Sequence, residues 1–254
     1  MAKIFRLVLS FLIALSITVI SYAEDNNEIR ESLSKHYCLE KPEGKGPFPA
    51  VMLVPGGTGF DGSFIKAHYN RVQRRLVDMG FVTLRVDYMA ARNVTNCLEL
   101  TPEDTAGDIC IATEYLRQQP FVKKEAINVL GWSYGGAGAL RALRRTGDRE
   151  PARVAAVIAY YPSCMVCEKW DSEVPVLALF GAKDNISRFP ICKSMFARLP
   201  KPDKLTVRVY DGAHHAFCIE EIPEPTNLYD LGIMCYNEAA AKAAWTEVTN
   251  FLRK

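Results

Sequence analysis

The chain has 254 residues, 49% of them hydrophobic, with 31 basic and 29 acidic side chains and a formal charge of +2. That length suits one large domain or two small ones with a sizeable core. The near-neutral balance excludes a role built on pairing with nucleic-acid phosphates.

Residues 1–23 read as a secretory leader. Lys3 and Arg6 precede an apolar run from Leu7 to Ile20, and Ser21-Tyr22-Ala23 supplies the small residues of a cleavage site. The run is about 14 residues, short of the roughly 20 that a membrane span needs. Its removal leaves the two signs balanced at 29 each. The expectation is a secreted or periplasmic protein with no membrane span after cleavage. All eight cysteines follow residue 23, an even count that favours disulfides in an exported chain. Eight cysteines allow 105 pairings, so the connectivity stays open; two pairs that would close short loops are Cys97 with Cys110 and Cys218 with Cys235. Cys164-x-x-Cys167 has no helical pattern after it and no second pair, so neither a redox motif nor a zinc site is read there.

The rest, 24–254, reads as one domain. Residues 24–36 are polar and read as frayed. "AVMLVPGG" is a continuous apolar run ending in glycine, the signature of a strand covered on both faces. From Ile65, apolar residues at Tyr69, Val72, Leu76 and Met79 give a helix with Arg71, Arg74 and Arg75 outward, ended by Gly80. "FVTLRVDY" is the next strand. Thr101-Pro102-Glu103-Asp104 opens a helix that runs to about Gln119. Strand Ile127–Leu130, helix Tyr134–Arg145, strand Val154–Tyr161, strand Val176–Phe180, a helix from Pro190 to Arg198, strand Leu205–Tyr210 and a helix over Asn237–Leu252 complete the order. Strands alternating with helices imply an α/β fold, a mostly parallel sheet with helices on both faces.

The strand Ile127–Leu130 runs into "GWSYGGAGAL". A sharp strand-to-helix turn with glycines on either side exposes Ser133 as a nucleophile, and the helix start suits a developing oxyanion. A serine hydroxyl needs a base. Of His36, His68, His214 and His215, the pair in "VYDGAHHAF" follows the last strand; His215 is the choice and His214 the reserve. Asp184 in "LFGAKDNIS" follows strand Val176–Phe180 and would orient the base, with Asp211 and Asp87 as fallbacks. The backbone N–H of Tyr134 would bind the oxyanion together with that of Gly57 or Thr58 in "VPGGTG". No metal or organic cofactor is implied.

These motifs, "GPFPAVMLVPGGTG", "GWSYGGAGAL", "GAKDNI" and "YDGAHHAF", resemble the dienelactone hydrolase group of α/β-hydrolases over residues 45–254. Ser133 stands where the founding members carry cysteine, and Pro55-Gly56-Gly57 where they keep an acidic residue. "GWSYGG" is also similar to prolyl-oligopeptidase-type peptidases, and Gly-Trp-Ser to cutinase relatives. The resemblance implies an α/β-hydrolase acting on a small-molecule ester or lactone; a small serine peptidase and a catalytically silent binding protein are the alternatives. The gap from Pro162 to Glu173 is too short for a helical cap. It implies no large lid and an open cleft rimmed by Phe60, Trp170 and Phe217.

Overall fold

A computed structural model describes residues 27–60, 62, 65–164, 172–228 and 230–254. The leader expected at 1–23, Cys167 and Trp170 lie outside the described residues.

Chain order begins with a helix over 27–35 (α1). It is followed by β1 (Tyr37–Glu40), β2 (Phe48–Val54), α2 (Lys66–Asp78), β3 (Val82–Val86), a short α3 (Tyr88–Ala91) and α4 (Pro102–Gln118). Next come β4 (Val122–Trp132), α5 (Ser133–Arg141), β5 (Ala156–Tyr160), β6 (Val176–Gly181) and α6 (Phe189–Phe196). The chain closes with β7 (Leu205–Tyr210), a two-residue pair β8 (Thr226–Asn227) and β9 (Ile233–Met234), and α7 (Glu238–Leu252).

Seven strands form one sheet in the order β1-β3-β2-β4-β5-β6-β7. Only β1 is antiparallel, pairing Tyr37 with Val86; the other neighbours are parallel. This is the α/β-hydrolase architecture expected from the sequence. Each central strand is apolar on both faces because helices cover both. Along β2, Ala50, Met52 and Val54 enter one core with residues of α4, α5 and α6. Val51 and Leu53 enter the other, with Val72 and Leu76 of α2 and Ala244 and Val248 of α7.

The helix starts follow their cap chemistry. Thr101 and Asp104 satisfy each other's backbone N–H groups at the start of α4, and the Asn237 side chain accepts from Ala240 N at α7. These caps fix where each helix leaves the sheet edge.

Three sequence expectations need correction. Residues 27–35 are helical, not frayed: Ile29 and Leu33, four apart, put an apolar face on the core, and Leu33 is fully buried. Neither expected cysteine pair forms. Among the described residues a disulfide joins Cys164 to Cys192, tying the segment after β5 to α6, while Cys97, Cys110, Cys218 and Cys235 are free. Cys97 lies against Gly57, whereas Cys110 faces Arg149 and Glu150. Cys218 turns to Tyr161 and His68 and Cys235 to the Pro223 carbonyl. Finally, Phe60 and Phe217 do not rim an open cleft. Phe60 packs edge-on to Tyr69, and Phe217 packs among Tyr160, Tyr161 and Tyr210; both are buried.

Candidate active site

Ser133 is the first residue of α5 and directly follows the last residue of β4. Its φ of +49° lies in the left-handed region that a β-carbon disfavours. The turn survives because its neighbours lack side chains. A Cβ on Gly131 would fall 2.6 Å from the Gly135 oxygen, and one on Gly135 would fall 2.2 Å from the Pro55 oxygen. The glycines therefore let α5 lie directly over the ends of β4 and β2, with Ser133 at the carboxyl edge of the sheet.

Asp184 follows β6 on that same edge. Its Oδ1 accepts from the N–H groups of Ile186 (2.9 Å) and Ser187 (2.8 Å), a turn closed by the aspartate itself. The other oxygen is left for His215, whose Nδ1 lies 2.8 Å from Asp184 Oδ2. A carboxylate only accepts, so Nδ1 carries the proton and Nε2 presents a lone pair. His215 Nε2 lies 3.0 Å from Ser133 Oγ. The Asp184 side chain is fully buried and that of His215 nearly so.

The histidine loop is held from several sides. Gly181 gives it room, since a Cβ there would sit 2.3 Å from the Ala213 oxygen. Lys183 N donates to Ala213 O, and Cys235 N and Asn237 N donate to His215 O and Phe217 O. The Tyr161 ring packs 4.5 Å from the imidazole. Tyr161 (φ +36°) and Ala216 (φ +59°) share the unusual backbone of Ser133, so strain concentrates around this site.

Gly56 passes beside the serine: a Cβ on it would lie 3.5 Å from Ser133 Cβ. Its loop is fastened by two tyrosines. Gly56 N donates to Tyr69 Oη (3.1 Å), and Tyr88 Oη lies 3.2 and 3.3 Å from the carbonyl oxygens of Pro55 and Gly56. The N–H groups of Gly57 and Thr58 carry no partner among the described residues. Tyr134, second in α5, has an N–H that the helix cannot satisfy internally. Its ring is fixed by a 2.6 Å bond from Oη to Leu100 O.

The structure thus brings together Ser133, His215, Asp184, Tyr134 and the Gly57–Thr58 loop. It leaves the reserve and fallback residues outside the chain of bonds. His214 Nδ1 is buried with no hydrogen-bond partner among the described residues. Asp87 caps α3 through Ala90 N, and Asp211 is exposed at the turn after β7. His36 is exposed, and His68 is buried against Trp132. Tyr69, Tyr88 and Tyr161 were not legible as site residues. Their signal is a tyrosine on an apolar helix face or at a strand end, where the hydroxyl must find a partner once buried. Among the described residues, no group of three or more His, Cys, Asp or Glu could hold a metal, and no helix is long and apolar enough to cross a membrane.

A serine hydroxyl in contact with a carboxylate-oriented imidazole, at a helix start on the carboxyl edge of the sheet, is the arrangement expected of an α/β-hydrolase. Residues 36–254 match the dienelactone hydrolase family, and the chain belongs to it. A relative from Bradyrhizobium sp, a probable 2-oxo-3-(5-oxofuran-2-ylidene)propanoate lactonase, is 24% identical over 232 residues, covering 85% of this chain and 87% of its own. Among solved structures, a putative dienelactone hydrolase from Klebsiella pneumoniae is similar at TM-score 0.64 and 17% identity, over 86% of this chain and 92% of that one. The dienelactone hydrolase-like promiscuous phosphotriesterase P91 from metagenomic libraries gives 0.63 and 20%, over 85% and 91%. Thermogutta terrifontis esterase 2 gives 0.61 and 16%, over 85% and 87%. At these identities the structural likenesses speak for the fold.

Proposed function

We propose that this enzyme is an exported serine hydrolase, one domain over residues 24–254, that cleaves carboxylic esters and lactones. Ser133 Oγ attacks the carbonyl carbon while His215 Nε2 takes its proton. Asp184 holds the imidazole in the required tautomer and stabilises the imidazolium. The oxyanion receives the N–H of Tyr134 and that of Gly57 or Thr58. Collapse of the tetrahedral intermediate breaks the ester C–O bond, and the departing alkoxide takes the proton from His215. In a lactone that oxygen stays tethered to the acyl chain. Water then attacks the acyl-enzyme with His215 as base, releasing the acid and restoring Ser133.

The single observation that carries this reading is the unbroken Ser133–His215–Asp184 chain, at 3.0 and 2.8 Å, on one sheet edge. The lactonase and esterase names of its relatives support the substrate class. The leader-like 1–23 and the Cys164–Cys192 disulfide support export.

The test is turnover of acetyl and butyryl chromogenic esters and of an unsubstituted lactone, beside peptide anilides, by wild type and Ser133→Ala. Esters and lactone should turn over only with Ser133 present, and a fluorophosphonate should add its mass to the Ser133 peptide. Turnover of anilides alone would replace this reading with a peptidase. No turnover and no labelling would replace it with a binding protein.

A further inference from the structure

Three residues after His215, on the same loop, stands a cysteine that the proposed chemistry does not use. The Cys218 sulfur lies 3.3 Å from Tyr161 Oη and 4.0 Å from His68 Nε2. It also lies beside the Trp132 indole N–H, which meets no partner at hydrogen-bond geometry. With His68 and Trp132 it closes the floor between α2 and α7. Tyr161 leads from this sulfur to the site, its ring centroid 4.5 Å from that of His215. We propose that Cys218 is a positioning residue for the base: its sulfur holds the Tyr161 hydroxyl, so that the Tyr161 ring holds the His215 imidazole in line with Ser133. This rests on the reading of His215 as the base of the reaction.

The hydroxyl shows what the sulfur does. Tyr161 is 1% exposed, and a buried phenol must find a partner. Among the described residues that partner is the Cys218 sulfur. Burial keeps both groups protonated, raising Tyr161 well above its ordinary value and pushing Cys218 up to about 12. The phenol O–H is the better donor, so the sulfur accepts. The thiol proton is left for His68. Burial, helped by the Arg71 charge, pushes His68 down to about 3, so its imidazole is neutral and has a lone pair to offer.

One sulfur thus meets the three segments that arrive at the site. It meets the end of β4 through Trp132, which directly precedes Ser133, and the segment after β5 through Tyr161. It meets the histidine loop through its own chain. The backbone needs such a tether. Tyr161 holds a φ of +36°, a conformation kept only where contacts over-determine it. Its N–H supplies one contact, to Leu179 O at 2.6 Å, and its hydroxyl supplies another at the far end of the ring.

Two variants break the same bond from opposite ends. Cys218→Ala strands the hydroxyl, and Tyr161→Phe removes it while keeping the ring. Each should lower kcat on a chromogenic ester by about tenfold and leave KM within about twofold, because the base is misplaced rather than lost. Cys218→Ser, which keeps an acceptor, should recover most of the loss. The double variant should be no slower than either single one. Proton NMR of the His215 ring, assigned by its loss in His215→Ala, reads the tether without turnover. Its resonances should shift in Cys218→Ala, and should not shift further when that alanine is added to Tyr161→Phe. A wild type that hydrolyses no ester would count against the catalytic reading alone, and the resonances would still judge the tether. Should Cys218→Ala not fold, Tyr161→Phe, which differs by one oxygen, carries the same comparison. Wild-type kcat in Tyr161→Phe, losses that multiply in the double variant, or unmoved His215 resonances in either single variant overturn the proposal.

Discussion

Gly135 and Pro55 are in backbone contact: a Cβ on Gly135 would lie 2.2 Å from the Pro55 oxygen. This contact joins the helix that carries Ser133 to the loop that carries Gly57 and Thr58. It sets the spacing between nucleophile and oxyanion donors, although Gly135 touches no reacting atom. Gly135→Ala should push the two apart and lower kcat by about 10²–10³, the cost of one misplaced oxyanion donor. The control is Gly107→Ala, in α4, where a Cβ would meet nothing within 4 Å. That change should stabilise by up to about 1 kcal/mol and leave kcat alone. Full activity in Gly135→Ala would disprove the link between this contact and turnover.

The two adjacent histidines should behave very differently. Only His215 lies between Ser133 Oγ and Asp184 Oδ2. His215→Ala should lower kcat by several orders of magnitude, and Asp184→Asn by about 10⁴ through the wrong tautomer. His214→Ala should retain most activity. Steady-state rates on one chromogenic ester decide it, and the reverse ranking of the histidines would remove His215 from its role.

Much of this site was legible because its residues sit at strand ends, and strand ends are easy to find in continuous apolar runs. β7 matches its expected bounds, and β6 differs by one residue. The misses have physical causes. β4 begins at Val122, earlier than Ile127, because Lys123, Lys124 and Glu125 are exposed and break the apolar pattern. β1 is a four-residue edge strand whose pairing with β3 leaves no such run. Asp184 was found by its place after a strand, but its two backbone donors depend on the turn that the aspartate itself closes. Cysteine pairing was illegible because loop length says nothing about which way two side chains face.

Arg92 and Asp108 form a buried arginine–carboxylate pair away from the site. Two bonds of 2.9 Å join them, and the Asp108 side chain has no exposure. Burial pushes the Asp108 carboxyl up, against the pull of Arg92. Arg92→Ala should therefore cost about 3–5 kcal/mol, since it strands a buried carboxylate. The double change to Arg92→Ala with Asp108→Ala should recover part of that loss. Urea unfolding at neutral pH measures both. A single variant as stable as wild type would show that water reaches Asp108.

The Cys164–Cys192 bridge closes a loop of 28 residues in sequence. Chain entropy puts its contribution at roughly 3–4 kcal/mol. Cys192→Ala should lower Tm while sparing much of kcat, because the bridge lies three residues beyond Tyr161 rather than on the histidine. A peptide map of unreduced protein should recover the 164–192 linkage. Recovery of Cys218 linked to Cys235 would overturn this pairing.

His68 should make the protein sensitive to mild acid. Burial first, and the neighbouring Arg71 charge second, push its pKa down to about 3 in the folded protein. In the unfolded chain it returns to about 6.5. Between those values the unfolded state binds one proton more than the folded state, so stability rises with pH. The contribution of a neutral His68 is complete above about pH 6.5 and is lost as pH falls below it, at up to about 1.4 kcal/mol per pH unit. Most carboxylates titrate lower, and the comparison with His68→Phe separates His68 from the other three histidines. Wild type should lose about 1–2 kcal/mol of unfolding free energy across that window. His68→Phe cannot take the proton and should give a flatter line, whatever its absolute stability. Parallel lines for the two proteins would mean that His68 is protonated in the folded state, and that the floor between α2 and α7 is wetter than its packing against Trp132 implies.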